Sequence, residues 1–167
     1  MLKGILSLFA NKHVSHKSMS KVYSVAVYKS QVEERLLFNP LAQHTSGGSV
    51  ATNKTIILTN DFEPGILGET LKHALKISET LDKWDGSLKD DLIQGGKVKN
   101  RSQFVRKFSL VSVTYFADKG IIKLTVNKKY KSSGFIAERN DPVFELSVES
   151  TDADLGNMLL QAFDLCI

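Results

Sequence analysis

The spacing of hydrophobic and polar positions changes several times along this chain, and each change marks an element. Val22 to Lys29 (VYSVAVYK) is rich in β-branched and aromatic residues and predicts a strand. Arg35 to Phe38 predicts a second, stopped by Asn39-Pro40, and Ala42 to Gly48 reads as a polar loop. Strand character resumes over Val50 to Thr59 and is strongest at Thr55 to Leu58. The period then becomes helical. Asp61 and Glu63 supply acids at a helix start, Pro64 suits a first helical position, and Leu67, Leu71, Ala74, Leu75 and Leu81 form an apolar stripe. This pattern predicts an amphipathic helix running to about Leu81 or Trp84. Asp85 to Gln103 has no clear period and reads as a loop with one helical turn near Leu88 to Ile93.

Alternation returns over Phe108 to Ala117, and Asp118-Lys119-Gly120 predicts a hairpin turn. Ile121 to Tyr130 is the returning strand, with Ile122, Leu124 and Val126 on one face. Phe135 to Glu138 is a further short strand, Asn140-Asp141-Pro142 a turn, and Val143 to Glu149 an alternating strand. Thr151-x-x-Asp154 opens a second amphipathic helix in the manner of a capping box, and Leu155, Met158, Leu159, Ala162, Phe163 and Cys166 mark its apolar face.

The two helices echo one another. Leu67-Gly68 with Leu71 and Ala74-Leu75 lines up with Leu155-Gly156 with Leu159 and Ala162-Phe163, and each follows a strand and an acidic turn. Glycine inside a helix costs about 1 kcal/mol against alanine. Its repetition at one place predicts close backbone packing, expected against a sheet. The reading is α+β, with antiparallel sheets and two amphipathic helices in a duplicated β-plus-α arrangement. Residues 1–21 form an N-terminal segment. Residues 22–167 form a single domain with halves at about 22–84 and 104–167 and a connector at 85–103.

Composition narrows the class. The chain has 167 residues, 42% hydrophobic and 24% charged, with three prolines, which is ordinary for one globular domain. A single cysteine, Cys166, excludes an internal disulfide and favours a reducing compartment, so the expected location is cytoplasmic. No apolar run is long enough for a membrane helix. Gly4 to Ala10 is short for a signal peptide and lacks an A-x-A cleavage site. The net charge of +4 permits an acidic partner or nucleic acid without requiring either.

Catalytic and metal chemistry find no foothold, so no cofactor and no enzyme activity are expected. His13 and His16 supply at most two ligands of the four a structural zinc needs. Cys166 lies on an apolar stripe, which suits a core residue better than a nucleophile. Gly95-Gly96-Lys97 lacks the spacing of a phosphate-binding loop. His73, Glu138, Asp141 and the pair Asp90-Asp91 stand in no diagnostic acid–base setting.

Two surfaces suit binding. Trp84, Asp85, Asp90 and Asp91 place the only tryptophan beside a small acidic cluster, a combination that anchors protein interfaces. Lys128, Lys129, Tyr130 and Lys131, helped by Tyr115 and by Lys97, Lys99, Arg101, Arg106 and Lys107, offer charge and an aromatic face to single-stranded nucleic acid. Lysines on an edge strand also serve simply to block aggregation.

Val22-Tyr23-Ser24-Val25-Ala26-Val27-Tyr28 and the helix Leu67-Gly68…Leu71…Ala74-Leu75…Ser78, echoed at Leu155-Gly156, resemble immunity proteins of contact-dependent growth inhibition (CDI) systems. The resemblance covers about Val22 to Cys166 and rests on core positions. It implies a protein that binds the C-terminal domain of one cognate toxin, often a nuclease, and covers its active site. It also implies a Whirly-like fold of two antiparallel sheets with helices. It carries over no catalytic residues. One feature departs from it: an inhibitor of a basic nuclease gains from acidic charge, whereas this chain is basic. Asp85 with Asp90 and Asp91, and Glu33-Glu34, are the local acidic exceptions. The alternative function is a single-stranded nucleic-acid-binding module.

Overall fold

The computed structural model describes residues 21–60, 62–81, 83, 86–87 and 90–166. Among these, nine strands and four helices follow in the order β1 (Val22–Ser30), β2 (Arg35–His44), β3 (Ser49–Ala51), β4 (Ile56–Thr59), α1 (Pro64–Ile77), β5 (Glu79–Leu81), α2 (Leu92–Gly95), α3 (Arg101–Lys107), β6 (Phe108–Phe116), β7 (Ile121–Tyr130), β8 (Gly134–Ile136), β9 (Val143–Ser147) and α4 (Asp152–Asp164). The class is mixed α+β, built on a largely antiparallel sheet.

The centre of the sheet is the pair β1 and β6, joined over nine residues from Val22↔Phe116 to Ser30↔Phe108. β2 flanks β1, and β7 flanks β6. The next strand outward is broken on both sides. β4 pairs the first half of β2 and β3 the second, while β9 pairs the first half of β7 and β8 its end.

Period-2 alternation puts alternate residues on opposite faces. Val25, Val27, Leu36, Phe38, Val111, Val113, Ile122, Leu124 and Val126 point to one face and meet α1 and α4 there. Ala26, Tyr28, Leu37, Phe108 and Leu110 point to the other, where Leu92 and Phe104 of α2 and α3 close a smaller second core. Each fully buried leucine or phenylalanine contributes about 1.5–3 kcal/mol.

Both long helices begin as their sequences require. Pro64 opens α1, and the Thr151 hydroxyl accepts the Asp154 N–H at 3.1 Å to cap α4. The paired glycines seat helix on helix rather than helix on sheet. A β-carbon on Gly68 would lie 1.9 Å from the Asp152 carbonyl oxygen, and one on Gly156 would lie 1.9 Å from the Pro64 carbonyl oxygen.

Four expectations are corrected. The β2 strand does not stop at Asn39-Pro40 but runs on to His44, so the first three residues of the expected loop are strand. Pro40 has no N–H for a ladder, and the buried Asn39 repairs the gap. Its amide donates to the Thr52 carbonyl at 3.1 Å and the Thr55 hydroxyl at 2.7 Å, while the Thr52 hydroxyl donates to the Pro40 carbonyl at 2.7 Å. The same knot splits the expected Val50–Thr59 strand into β3 and β4.

The α1 helix ends at Ile77, not Leu81 or Trp84, because the Ser78 hydroxyl turns back to the Leu75 carbonyl at 2.8 Å. Residues 79–81 then form β5, parallel to the far end of β2. Finally, the described residues hold four helices rather than two. The stretch read as a connector loop holds α2 and the start of α3, whose first turn is capped by Asn100.

Candidate partner-binding surface

The connector is fixed to the sheet by two charged side chains. Arg35, only 5% exposed, donates from Nη1 to the Gly95 carbonyl at 2.9 Å, and its Nε lies 3.0 Å from the Glu33 carboxylate. Asp91 reaches the start of β4, where its carboxylate accepts from the Thr55 N–H at 3.3 Å and from the Thr55 hydroxyl. Arg35, Thr55, Ile57, Asp91, Gln94 and Lys97 line an open hollow of about 390 Å³.

Asp90 faces outward. One carboxylate oxygen caps the Leu92 N–H at 2.9 Å, and the other lies 3.9 Å from Arg101. Arg101 in turn acts electrostatically on Tyr28 and leans over the Phe104 ring, 5.5 Å from its centre. Burial pushes the Tyr28 hydroxyl above its usual pKa. A path of contacts therefore runs from the exposed Asp90 into the second core.

Of the residues expected to bind a partner, Trp84 and Asp85 lie outside the described residues. Asp90 and Asp91 are adjacent but unlike: Asp91 is occupied in holding α2 to β4, and Asp90 stands at the surface. Arg35 was not singled out by sequence. It draws the exposed Glu33-Glu34 turn towards α2, so Glu33-Glu34 and Asp90-Asp91, separate in the chain, lie on one side of the molecule. Val32, 66% exposed, sits at the tip of that turn.

The basic set is divided. Consecutive strand residues face opposite ways, so Lys128 and Lys129 do not share a face. Lys128 is ion-paired to Glu138 at 3.0 Å and to Asp141 at 2.6 Å. Lys129 turns towards α3 and bonds to Gln31 and the Arg106 carbonyl. Tyr130 is exposed with Lys131 above its ring. Tyr115 stacks on Tyr23 beside α1, in a different cleft.

The hydrogen bond from Lys128 holds the Asp141 carboxyl below its usual pKa, and the Asp141 bond holds the Lys128 ammonium above its usual range. A depressed carboxylate stabilises the fold above its unfolded pKa, near 4, and loses that contribution as pH falls through the folded value. The Glu138 N–H donates to Asp141 at 2.6 Å. Its exchange protection is expected to fall selectively below about pH 4, as read by hydrogen exchange against pH. Uniform loss of protection across β7 and β9 would refute a local effect.

His73 is exposed, and His13 and His16 lie outside the described residues. Cys166 is half-buried against the Leu110 and Ala162 carbonyls, and burial pushes its thiol up to about 11, so it carries no thiolate at neutral pH. Among the described residues no helix is long and apolar enough to cross a membrane.

A family model described as CDI immunity protein matches residues 12–166. The chain belongs to the CDI immunity protein family. Two solved structures share the fold. A protein of unknown function from Neisseria meningitidis aligns with a TM-score of 0.70 at 17% identity, over 89% of this chain and 97% of that one. A chain of the CdiA-CT/CdiI toxin and immunity complex from Yersinia pseudotuberculosis aligns with a TM-score of 0.66 at 14% identity, over 88% of this chain and 98% of that one. No curated protein matches the sequence.

Proposed function

We propose that this chain is the antidote to one CDI toxin domain, a nuclease, and that it acts in the cytoplasm by covering the toxin's active site. It is a binder and not a catalyst. The observation that carries this reading is the family match over residues 12–166, and the fold likeness to a chain from a toxin and immunity complex supports it.

The binding surface in this reading is the side that carries Glu33, Glu34, Asp90 and Asp91, together with Trp84 and Asp85. In this reading the exposed carboxylates of Glu33, Glu34 and Asp90 supply the local acid that meets a basic nuclease, since steering depends on the charge of the docking face more than on net charge. The Lys128–Lys131 alternative is weaker, because Lys128 is neutralised by two carboxylates.

Reversing charge at Asp90 and Asp91 is expected to slow toxin association by about tenfold or more at low salt, and by less as salt rises. A companion variant, Glu33→Lys with Glu34→Lys, leaves the Asp91–Thr55 contact intact and is expected to act in the same direction. Surface plasmon resonance against the cognate toxin reads both. Unchanged association rates in both variants would remove this face from the interface.

We further propose that the fold is a duplicated β-plus-α unit of Whirly type. The sequence β1-β2-β3-β4-α1 has the same order of elements as β6-β7-β8-β9-α4. Pro64 and Asp152 are 88 residues apart, as are Gly68 and Gly156, and each glycine packs on the other half's partner. These reciprocal contacts support two halves related by a twofold axis between α1 and α4, with residues 85–103 as the connector.

A further inference from the structure

A second hollow, of about 320 Å³, lies between α3 and the turn that joins β7 to β8. Ser102 and Arg106 enter it from one face of α3, four residues apart. Lys129 enters from β7, and Lys131 and Ser132 from the turn.

Lys129 is held in place. Its ammonium donates to Gln31 Oε1 at 2.7 Å and to the Arg106 carbonyl at 2.9 Å, and the Gln31 amide is itself held by Ser109 at 3.0 Å. Two of three ammonium protons are therefore spent on neutral oxygens, and the third remains. Burial lowers the Lys129 pKa, the mark of a charge partly desolvated without a carboxylate to offset it. Lys131 adopts a left-handed backbone with φ of 53°, which its β-carbon disfavours. Among the described residues, no carboxylate lines the hollow. Among the described residues, none of Arg106, Lys129 and Lys131 forms an ion pair. The neighbouring Lys128, with its two carboxylates, is the contrast.

We propose that this hollow binds the phosphate group of a phosphate ester, with Arg106, Lys129 and Lys131 supplying charge and Ser102 and Ser132 supplying hydroxyl donors. Three cations and two hydroxyls match a dianion rich in acceptor oxygens. A side-chain carboxylate, with one charge and two oxygens, would leave part of that set unused.

The test is calorimetric titration of the full chain with inorganic phosphate, a 5′-mononucleotide and hexaglutamate at low salt. Phosphate and the mononucleotide are expected to compete for one site. Arg106→Ala and Lys131→Ala remove exposed side chains and leave the core intact. Each is expected to weaken binding by about tenfold or more, the scale of one charge-assisted hydrogen bond. Lys119→Ala, at the opposite end of β7, is expected to bind as the unaltered chain does. No binding by the unaltered chain, or equal phosphate affinity in all variants, overturns the proposal. Tighter binding of hexaglutamate than of phosphate overturns it in favour of an acidic protein surface. Either result leaves the toxin-binding reading untouched, because that reading is tested by toxin association with variants at Glu33, Glu34, Asp90 and Asp91, none of which lines this hollow.

Discussion

Replacing Gly68 with alanine is expected to lower the melting temperature by roughly 6–12 °C, or about 3 kcal/mol, the upper end of what overpacking costs. The added β-carbon would lie 1.9 Å from the Asp152 carbonyl oxygen and 2.5 Å from its carbonyl carbon. Both are backbone atoms in the first turn of α4, so no side-chain rotation relieves the overlap, and the helices must move apart. Alanine would favour an isolated helix by about 1 kcal/mol over glycine, so a net loss identifies the helix seat as the cause. Gly156→Ala is expected to do the same against Pro64. Once one variant has separated the helices, the second β-carbon meets less, so the double variant is expected to fall short of the sum of the singles. Thermal unfolding of all three would settle it. Unchanged stability in either single variant would show that the seat yields easily.

The second large effect is expected at Phe104. This residue is fully buried, stacks on Phe108 with ring centres 4.5 Å apart, and meets Tyr28 edge-on at 5.0 Å. Phe104→Ala is expected to cost about 3–5 kcal/mol, from lost transfer energy and the cavity left behind. Its reach extends past stability. Arg101 rests over the same ring, and Asp90 lies beside Arg101, so the variant is also expected to loosen the surface proposed for the toxin. Hydrogen exchange would show this as lost protection in α2 and α3 with β1 and β6 still protected. Equal loss across the whole sheet would mean that the second core is not a separate unit.

The strands that alternate cleanly, β6, β7 and β9, were legible because a half-buried strand writes its two faces into the sequence. The helices α1 and α4 were legible from their stripes and from the Gly68 and Gly156 echo. What the echo meant was legible only in part. Close approach was readable, but its target, one helix on the other, depends on elements 88 residues apart. The α3 helix was missed because seven residues carrying only Phe104 and Val105 as a buried pair cannot display a period. A signal was nevertheless present in Asn100 followed by Gln103, the spacing of an N-terminal cap. The β5 strand had no such signal, since its three residues are a strand only because β2 offers them an edge.

At the surface, the acidic candidates could be named but not sorted. Nothing local distinguishes Asp91, bound to Thr55, from Asp90, and nothing local reveals that Arg35 is buried. The lysine run is different. Strand alternation alone separates Lys128 from Lys129, whereas the approach of Arg106 to Lys129 depends on how α3 packs beside β7.

The way the N-terminal elements are joined to the C-terminal ones also bears on how the protein is made. The central pair unites β1 with β6, and the tightest helix contact unites α1 with α4. During synthesis, β1 to α1 leave the ribosome with both of these surfaces unmatched. At ordinary elongation rates the wait from the end of α1 to the end of α4 is roughly 4–17 s. Throughout that interval the apolar stripe of α1 has no partner helix and β1 has one open edge. A cell that relies on this chain for protection would therefore be shielded by finished molecules already in stock and not by those still emerging.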